Sequence, residues 1–147
     1  MKAQTINLLN QKFEEYNQPN FIPLDPICIP HRYSKKQDIE ISGLFAAVLA
    51  WGLRKTIINK CASLLEMMDN SPHDFIVNHK ETDLKPFVNF KHRTFNGTDT
   101  LYFIDFLKRH YTKNESLESA FTQWMSPDDK IVENGLIGFH NYFFESN

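Results

Sequence analysis

Two His-Arg dipeptides are the residues in this sequence best suited to bind a ligand. His31 and Arg32 stand in the segment PHRY, and His92 and Arg93 stand in the segment KHRTF. The planar guanidinium group of arginine donates paired hydrogen bonds to a carboxylate or a phosphate, and a neighbouring histidine adds a donor or a stacking face. This residue pattern predicts contacts to anionic groups.

Two further cations, Arg54 and Lys55, follow shortly after Gly52, with Leu53 between them and the glycine. We expect these cations and the two dipeptides to line one basic groove that contacts the phosphate backbone of a nucleic acid. Such contacts position a protein without reading the base sequence. The predicted phosphate-binding residues are Arg32, Arg93, Arg54, Lys55, His31 and His92.

The alternative is that Arg32 and Arg93 are paired inside the protein and hold their loops in place. Their partners would then be carbonyl groups at helix C-termini or nearby carboxylates. Three carboxylates are close enough in the sequence to be considered: Asp25, Asp38 and Glu40.

Other chemistry has no clear motif in the sequence. The six histidines form no HExxH or HxH pattern, the two cysteines lack zinc-ligand spacing, and neither a GxSxG segment nor a phosphate-binding glycine loop occurs. Asp38 with Glu40 and Asp128 with Asp129 are candidate carboxylate pairs, but the first pair also suits the N-terminus of a helix. We therefore predict no metal and no cofactor, and the sequence assigns no catalytic residue.

The charges are unevenly distributed although the net charge is only −2. Residues 31–60 contain six Lys and Arg against two acidic residues, whereas residues 115–147 contain six acidic residues against one lysine. This distribution predicts a basic patch and an acidic C-terminal region. The alternative is two solvated faces that attract each other.

Helical signals dominate the elements that must position these residues. Apolar residues recur at helical spacing in residues 5–16, 56–68, 98–111, 117–124 and 126–144, with a short helix after Ser71-Pro72. A proline-rich connector, residues 17–33, is expected to be extended. We predict an all-α fold of six or seven helices in one compact domain, residues 1–147.

The centre of this fold is predicted to be a buried helix over about residues 38–51. Ser34 and Gln37 match a capping box at its start, and its second half is apolar on every side. Gly52 would then end the helix and allow a tight turn into the next one.

The last predicted helix is apolar almost to its end, which is unusual because chain termini tend to be polar. Three explanations stay open: this helix docks on the core, contacts a second copy, or receives a C-terminal half that the sequence lacks. The residues assigned to such docking are Leu136, Phe139 and Phe143.

The cellular compartment follows from two weak signals. Cys28 and Cys61 in a chain with a large core suggest a reducing environment. The N-terminus has no apolar signal-peptide region, and the longest uncharged apolar run, residues 41–53, is too short to span a bilayer. We expect a cytoplasmic protein without a membrane partner.

Several ordered motifs resemble an uncharacterised bacterial family, a conserved domain of unknown function. The motifs are DPICIPHRY (25–33), DIEISGLFAAVLAWGLR (38–54), MDNSPHDFI (68–76) and FKHRTF (90–95). Members of that family are typically much longer, so the resemblance implies that this chain is the N-terminal portion of a longer architecture.

A remoter similarity in residues 38–50, 58–65 and 71–75 is to the opening helices of the helix-hairpin-helix DNA glycosylases, which are all-α base-excision enzymes. The sequence departs from them at Trp51-Gly52, where those enzymes usually place a small or polar residue and a glutamine. It also lacks their glycine-rich hairpin, catalytic contexts and four-cysteine cluster motif. The similarity therefore transfers no catalytic residue.

Three functions follow as hypotheses. The leading one is a helical module that binds nucleic acid and is not catalytic alone. The second is a structural or protein-interaction domain that uses the C-terminal helix. The third is the N-terminal half of a glycosylase-like or nuclease-like enzyme.

Overall fold

Helices separated by proline, glycine and short polar residues make up most of the chain. The computed structural model describes residues 2–145. Its α-helices are α1 (Ala3–Tyr16), α2 (Lys36–Val48), α3 (Arg54–Glu66), α4 (Pro72–Asn78), α5 (Gly97–Tyr111), α6 (Ser119–Thr122) and α7 (Glu133–Phe144). Short 3-10 helices cover Pro19–Leu24, Pro26–Cys28, Pro30–Arg32 and Glu81–Asn89. No strand forms within the described residues, so the all-α prediction is confirmed.

The proline-rich connector differs from its predicted extended form. Residues 19–32 form three successive 3-10 helices, each with proline in its first turn. The fixed backbone angle of proline, near −65°, suits the start of a helix as well as an extended chain. The carboxylate of Asp25 accepts the N–H of Ile27, 3.0 Å away, and the next turn buries Ile29 completely.

Helix α2 lies at the centre of the fold, against α3, α4 and two of the 3-10 helices. Ile41, Phe45 and Leu49 are buried on one face. The opposite face is open, because Val48 is 40% exposed and Ala47 is also exposed. Helix α2 ends at Val48, three residues before the predicted boundary at residue 51. Its second half is therefore shorter than predicted and is not buried on every side.

The predicted capping box at the start of α2 does not form. No side chain caps this helix, and Gln37 instead donates to the carbonyl oxygen of Glu115, 3.0 Å away. Asp38 in the first turn of α2 accepts the backbone N–H of His73, 2.8 Å away, near the start of α4. A carboxylate expected to serve its own helix therefore also satisfies a free N–H of a neighbouring one.

Glu40 of α2 ties this helix to the end of α5. Its carboxylate accepts hydrogen bonds from the Tyr111 hydroxyl at 2.9 Å, the Ser116 hydroxyl at 2.5 Å and the Leu117 N–H at 2.9 Å. Burial alone would raise the pKa of Glu40, but these hydrogen bonds and Lys36 outweigh it, so its pKa lies below the usual value.

The phenylalanine-rich interior is built where α7 packs on α5. Phe143 is only 6% exposed and lies 4.7 Å from Phe106 and from Phe103, ring centre to ring centre. Phe139 stacks on Phe121 at 4.2 Å. Helix α7 thus docks on the core, where Phe143 is buried and Phe139 is partly buried. Docking of a further partner stays a prediction for Phe139 and for Leu136, which is 55% exposed, whereas the burial of Phe143 leaves it no surface for such a contact.

The region before α7 is less helical than the sequence pattern predicts. Helix α6 covers only Ser119–Thr122, and residues 126–132 form turns in which Asp129 accepts the N–H of Ser126 at 2.9 Å. Such side-chain bonds compete with helix formation. Gly138 of α7 packs so closely on Trp124 that a larger residue would collide with the indole ring.

Helices α1 and α7 both expose apolar side chains. Helix α1 buries none of its residues, and Leu9 and Phe13 are more than half exposed. The outer face of α7 exposes Leu136, Ile137 and Phe144. None of the helices between residues 2 and 145 combines the length and the apolar character that a bilayer crossing needs.

Candidate nucleic-acid interface

The turn between α2 and α3, residues 49–53, presents large apolar side chains to solvent. The N–H of Trp51 donates to the carbonyl oxygen of Leu49, 2.7 Å away, and Gly52 adopts φ +119°, a conformation that favours glycine. Trp51 is 60% exposed and Leu53 is 73% exposed. We call residues 49–53 the α2–α3 turn.

A second tight turn, residues 92–95, packs against the α2–α3 turn. His92 and Phe95 exchange both backbone hydrogen bonds, at 2.8 and 2.9 Å. The Nε2–H of His92 donates to the carbonyl oxygen of Trp51, 3.2 Å away. His92 is only 4% exposed, so it joins the two turns and is not the exposed phosphate ligand that the sequence predicted.

Arg93 lies directly over Gly52. A Cβ atom on Gly52 would lie 2.7 Å from Nη2, 3.1 Å from Nε and 3.3 Å from Cζ of Arg93. Arg93 itself adopts φ +56°, which non-glycine residues seldom occupy. Such strain costs on the order of 1–3 kcal/mol and is concentrated at functional sites, so an arginine held this way marks the turn as a candidate site.

Replacing Gly52 with alanine should lower the free energy of unfolding by about 2 kcal/mol, because a residue with a Cβ atom is strained at φ +119° even if the Arg93 side chain moves aside. Gly43 in α2 is the matched control, since a Cβ atom there would meet only Pro30 at 3.8 Å. Urea unfolding of both variants checks this. Equal loss of stability in the two would contradict the described turn geometry.

Arg54 and Lys55 begin α3 directly after the α2–α3 turn and place two exposed cations beside it. The Nε of Arg54 lies 3.5 Å from the Asp25 carboxylate, and its guanidinium group lies 5.7 Å from the Phe21 ring centre. Exposed pairs of this kind are weak, so a phosphate can compete with Asp25 for Arg54. Lys55 is exposed and forms no ion pair with another described residue.

His31 and Arg32 directly follow Pro30, which lines one cleft together with Gly52 and Arg54. Both are exposed in the 3-10 helix that precedes α2, and His31 borders a cleft formed with the end of α1. Arg32 is close enough to α3 to oppose the effects of burial and of Cys28, which raise the pKa of the Cys61 thiol to about 11. The convergence of the two His-Arg dipeptides on one groove stays a prediction.

The alternative of internal carboxylate pairing is not observed for Arg32 or Arg93. Among the described residues, Asp25 contacts Arg54, Asp38 accepts from His73, and Glu40 binds the residues at the end of α5. One exposed ion pair, Lys36 with Glu118 at 2.9 Å, links the basic segment to the acidic one. This ion pair lies at the start of α2, where Lys36 is the first helical residue.

Trp51 is the residue of this surface that the sequence-based site missed. Its position directly before Gly52 and close to two cations could have indicated an exposed residue. Because residues 38–51 are mostly apolar, Trp51 was instead assigned to the buried helix. No described group of three or more His, Cys, Asp or Glu side chains is arranged to hold a metal ion. The site thus consists of cations and aromatic surface.

These features define a helical protein in which an exposed aromatic turn lies beside three exposed cations. Residues 25–147 match the family model described as "Protein of unknown function (DUF2400)", and the chain belongs to that family. The predicted resemblance to an uncharacterised family is thereby confirmed, whereas the remoter glycosylase similarity and the bacterial origin stay predictions. No curated protein and no solved structure matches the chain.

Proposed function

We propose that the α2–α3 turn binds nucleic acid through its phosphate backbone, with Arg93, Arg54 and Lys55 as the contacts. The observation that carries this proposal is the strained, exposed Arg93 held over Gly52 beside the exposed Trp51. Cations beside an aromatic side chain are the usual components of a surface for single-stranded nucleic acid. The protein would act in the cytoplasm and would not be catalytic alone.

The contact between the two turns favours a binding role over an incidental patch of exposed side chains. The bond from His92 to the Trp51 carbonyl joins the two turns, and it places the backbone of Arg93 beside Gly52. Preorganised groups lose less entropy on binding, so a given number of contacts yields more affinity. The proposal does not require Arg32 or His31, whose place in a shared groove stays a prediction.

Fluorescence anisotropy of labelled single-stranded and duplex DNA tests the proposal with the unmodified chain, Arg93→Ala and Lys113→Ala. Lys113 is an exposed cation just past the far end of α5, roughly 22 Å from its start at 1.5 Å per residue. We expect Arg93→Ala to weaken binding about tenfold and Lys113→Ala to leave it unchanged. Equal effects of the two variants would contradict a localised interface.

Arg93→Gly separates the strain from the charge. Glycine adopts positive φ freely, so this variant should unfold at the same or a slightly higher temperature, with a gain of up to about 1 kcal/mol. Its DNA affinity should fall as in Arg93→Ala. Calorimetry and anisotropy on one sample check both effects, and a less stable Arg93→Gly protein would show that the guanidinium group is a structural support.

A second candidate function is self-association through the outer face of α7. Leu136, Ile137 and Phe144 are 55%, 55% and 59% exposed and lie on the side of the helix away from the core. Leu136→Glu should then shift a concentration-dependent dimer to monomer in sedimentation velocity. A monomer at every concentration would exclude this function.

A further inference from the structure

A cleft of 320 Å³ opens beside the α2–α3 turn, on the side of Trp51 and the 92–95 turn. Its lining residues are Val48, Trp51, His92, Thr94, Phe95 and Asp99. The volume lies at the lower end of the roughly 300–1,000 Å³ range of small-molecule sites. It therefore suits a single planar ring system with a short substituent.

His92 supplies a hydrogen-bond acceptor to this cleft. Its Nε2–H donates to the Trp51 carbonyl oxygen, which leaves Nδ1 as the ring nitrogen that can accept a hydrogen bond. No described residue bonds to Nδ1, and this nitrogen is not closed off from solvent, since no buried side-chain N or O atom of the described residues lacks a partner. Nδ1 can therefore accept an N–H from a ligand in the cleft.

Asp99 supplies a second acceptor. Its Oδ2 accepts the N–H of Asn96 at 2.8 Å, which fixes the carboxylate at the start of α5, and no described residue bonds to Oδ1. The Thr94 hydroxyl adds a group that can donate or accept. The polar atoms of the cleft are thus mainly acceptors, set between the aromatic side chains of Trp51 and Phe95.

We propose that this cleft binds a nucleobase with an N–H donor edge, guanine being the best match, with its ring stacked on Trp51 and its phosphate beside Arg93. Guanine presents two adjacent donors, N1–H and the N2 amino group, to a carboxylate, whereas the other common bases present fewer on one edge. This inference rests on the proposed function and adds base preference to it. Free nucleotides and single-stranded nucleic acid share the required chemistry.

The first arm of the test measures quenching of intrinsic tryptophan fluorescence by GMP, AMP, CMP and UMP. Only two tryptophans occur, and Trp51→Ala leaves Trp124 as the remaining emitter and the control. We expect saturable quenching by GMP, at least about fivefold weaker binding of the other nucleotides, and no quenching in Trp51→Ala. Equal quenching by all four, or by none, would overturn the proposed edge recognition.

A second variant keeps the test interpretable. Asp99→Asn retains an oxygen that can accept the Asn96 N–H and should remain folded, but it replaces an acceptor by a donor amide. Its preference for GMP should fall to that of the other nucleotides, with unchanged melting temperature as the folding control. An undiminished preference in folded Asp99→Asn would contradict the assignment.

The second arm compares 8-mers of dG, dT and abasic sugar-phosphate by anisotropy. Preference for dG supports the inference for nucleic acid, and GMP quenching without any binding of the 8-mers supports it for a free nucleotide while refuting the proposed function. Equal binding of dG and abasic 8-mers would refute the base cleft and leave phosphate binding intact. Failure of all ligands would refute both.

Discussion

Glu40→Ala should lower the free energy of unfolding by about 3 kcal/mol, because it removes the acceptor of three inward hydrogen bonds. The hydroxyl groups of Tyr111 and Ser116 and the N–H of Leu117 would all lose their partner. Each buried donor left unsatisfied costs on the order of 1–3 kcal/mol, and partial solvent access reduces the sum. These bonds join α2 to the segment after α5, so the loss affects the whole fold.

Chemical denaturation with urea measures this effect, and the pH dependence of the result identifies its cause. The folded-state pKa of Glu40 lies below its unfolded value, so its contribution is fully present above about pH 4.3 and is lost as pH falls through the lower folded value. Glu40→Gln should be less stable at neutral pH and should lose less stability on acidification. Parallel pH profiles for Glu40→Gln and the unmodified chain would contradict this account.

Gly97→Ala should be about as damaging, at about 3 kcal/mol, for a different physical reason. A Cβ atom on Gly97 would lie 2.6 Å from the carbonyl carbon of Val88 and 2.9 Å from the carbonyl oxygen of Phe87, and would collide with the oxygen of Val88. These are backbone atoms of the 3-10 helix that packs on α5, so they cannot rotate away. Overpacking against backbone forces the two helices apart.

The control for Gly97→Ala is Thr98→Ala, because Thr98 is exposed and lies next to Gly97 in the first turn of α5. We expect a change below about 0.5 kcal/mol there, as for most surface substitutions. Thermal and urea unfolding of the pair provide the comparison. A Gly97→Ala protein as stable as Thr98→Ala would contradict the close packing of α5 on residues 81–89.

The helical architecture was largely predictable from local signals. Apolar spacing identified the main helices, and Gly52 marked the α2–α3 turn because an apolar run ends there and cations follow. Capping was less predictable, because the carboxylate of Asp38 satisfies an N–H of α4, 35 residues further along the chain. Side-chain bonds to distant backbone leave no pattern in neighbouring residues.

The candidate site was predictable only in part for the same reason. Arg93, Arg54 and Lys55 were identified by residue type and lie at or beside one turn. His92 was assigned the wrong role because its partner, the Trp51 carbonyl, is 41 residues away in the sequence. Trp51 was missed because an apolar helical pattern cannot show which of its last residues pass beyond the end of the helix.

The burial of Phe143 shows a similar limit. An apolar C-terminal helix fits a docking surface and a core helix equally well until its partner helix is known. In this fold α5 supplies Phe103 and Phe106, which cover one face of α7 and leave Leu136 outside. Phe143→Glu would therefore test folding and not association.

The central claim, that the α2–α3 turn contacts phosphates, is tested most directly by the salt dependence of DNA affinity. The slope of log K against log salt concentration counts phosphate contacts, at about 0.7 per contact for single strands. The account predicts that Arg93→Ala/Arg54→Ala/Lys55→Ala reduces this slope by about 2 relative to the unmodified chain, with unchanged helix content by circular dichroism. A folded triple variant that binds DNA with an unchanged slope would show that the phosphates are held elsewhere.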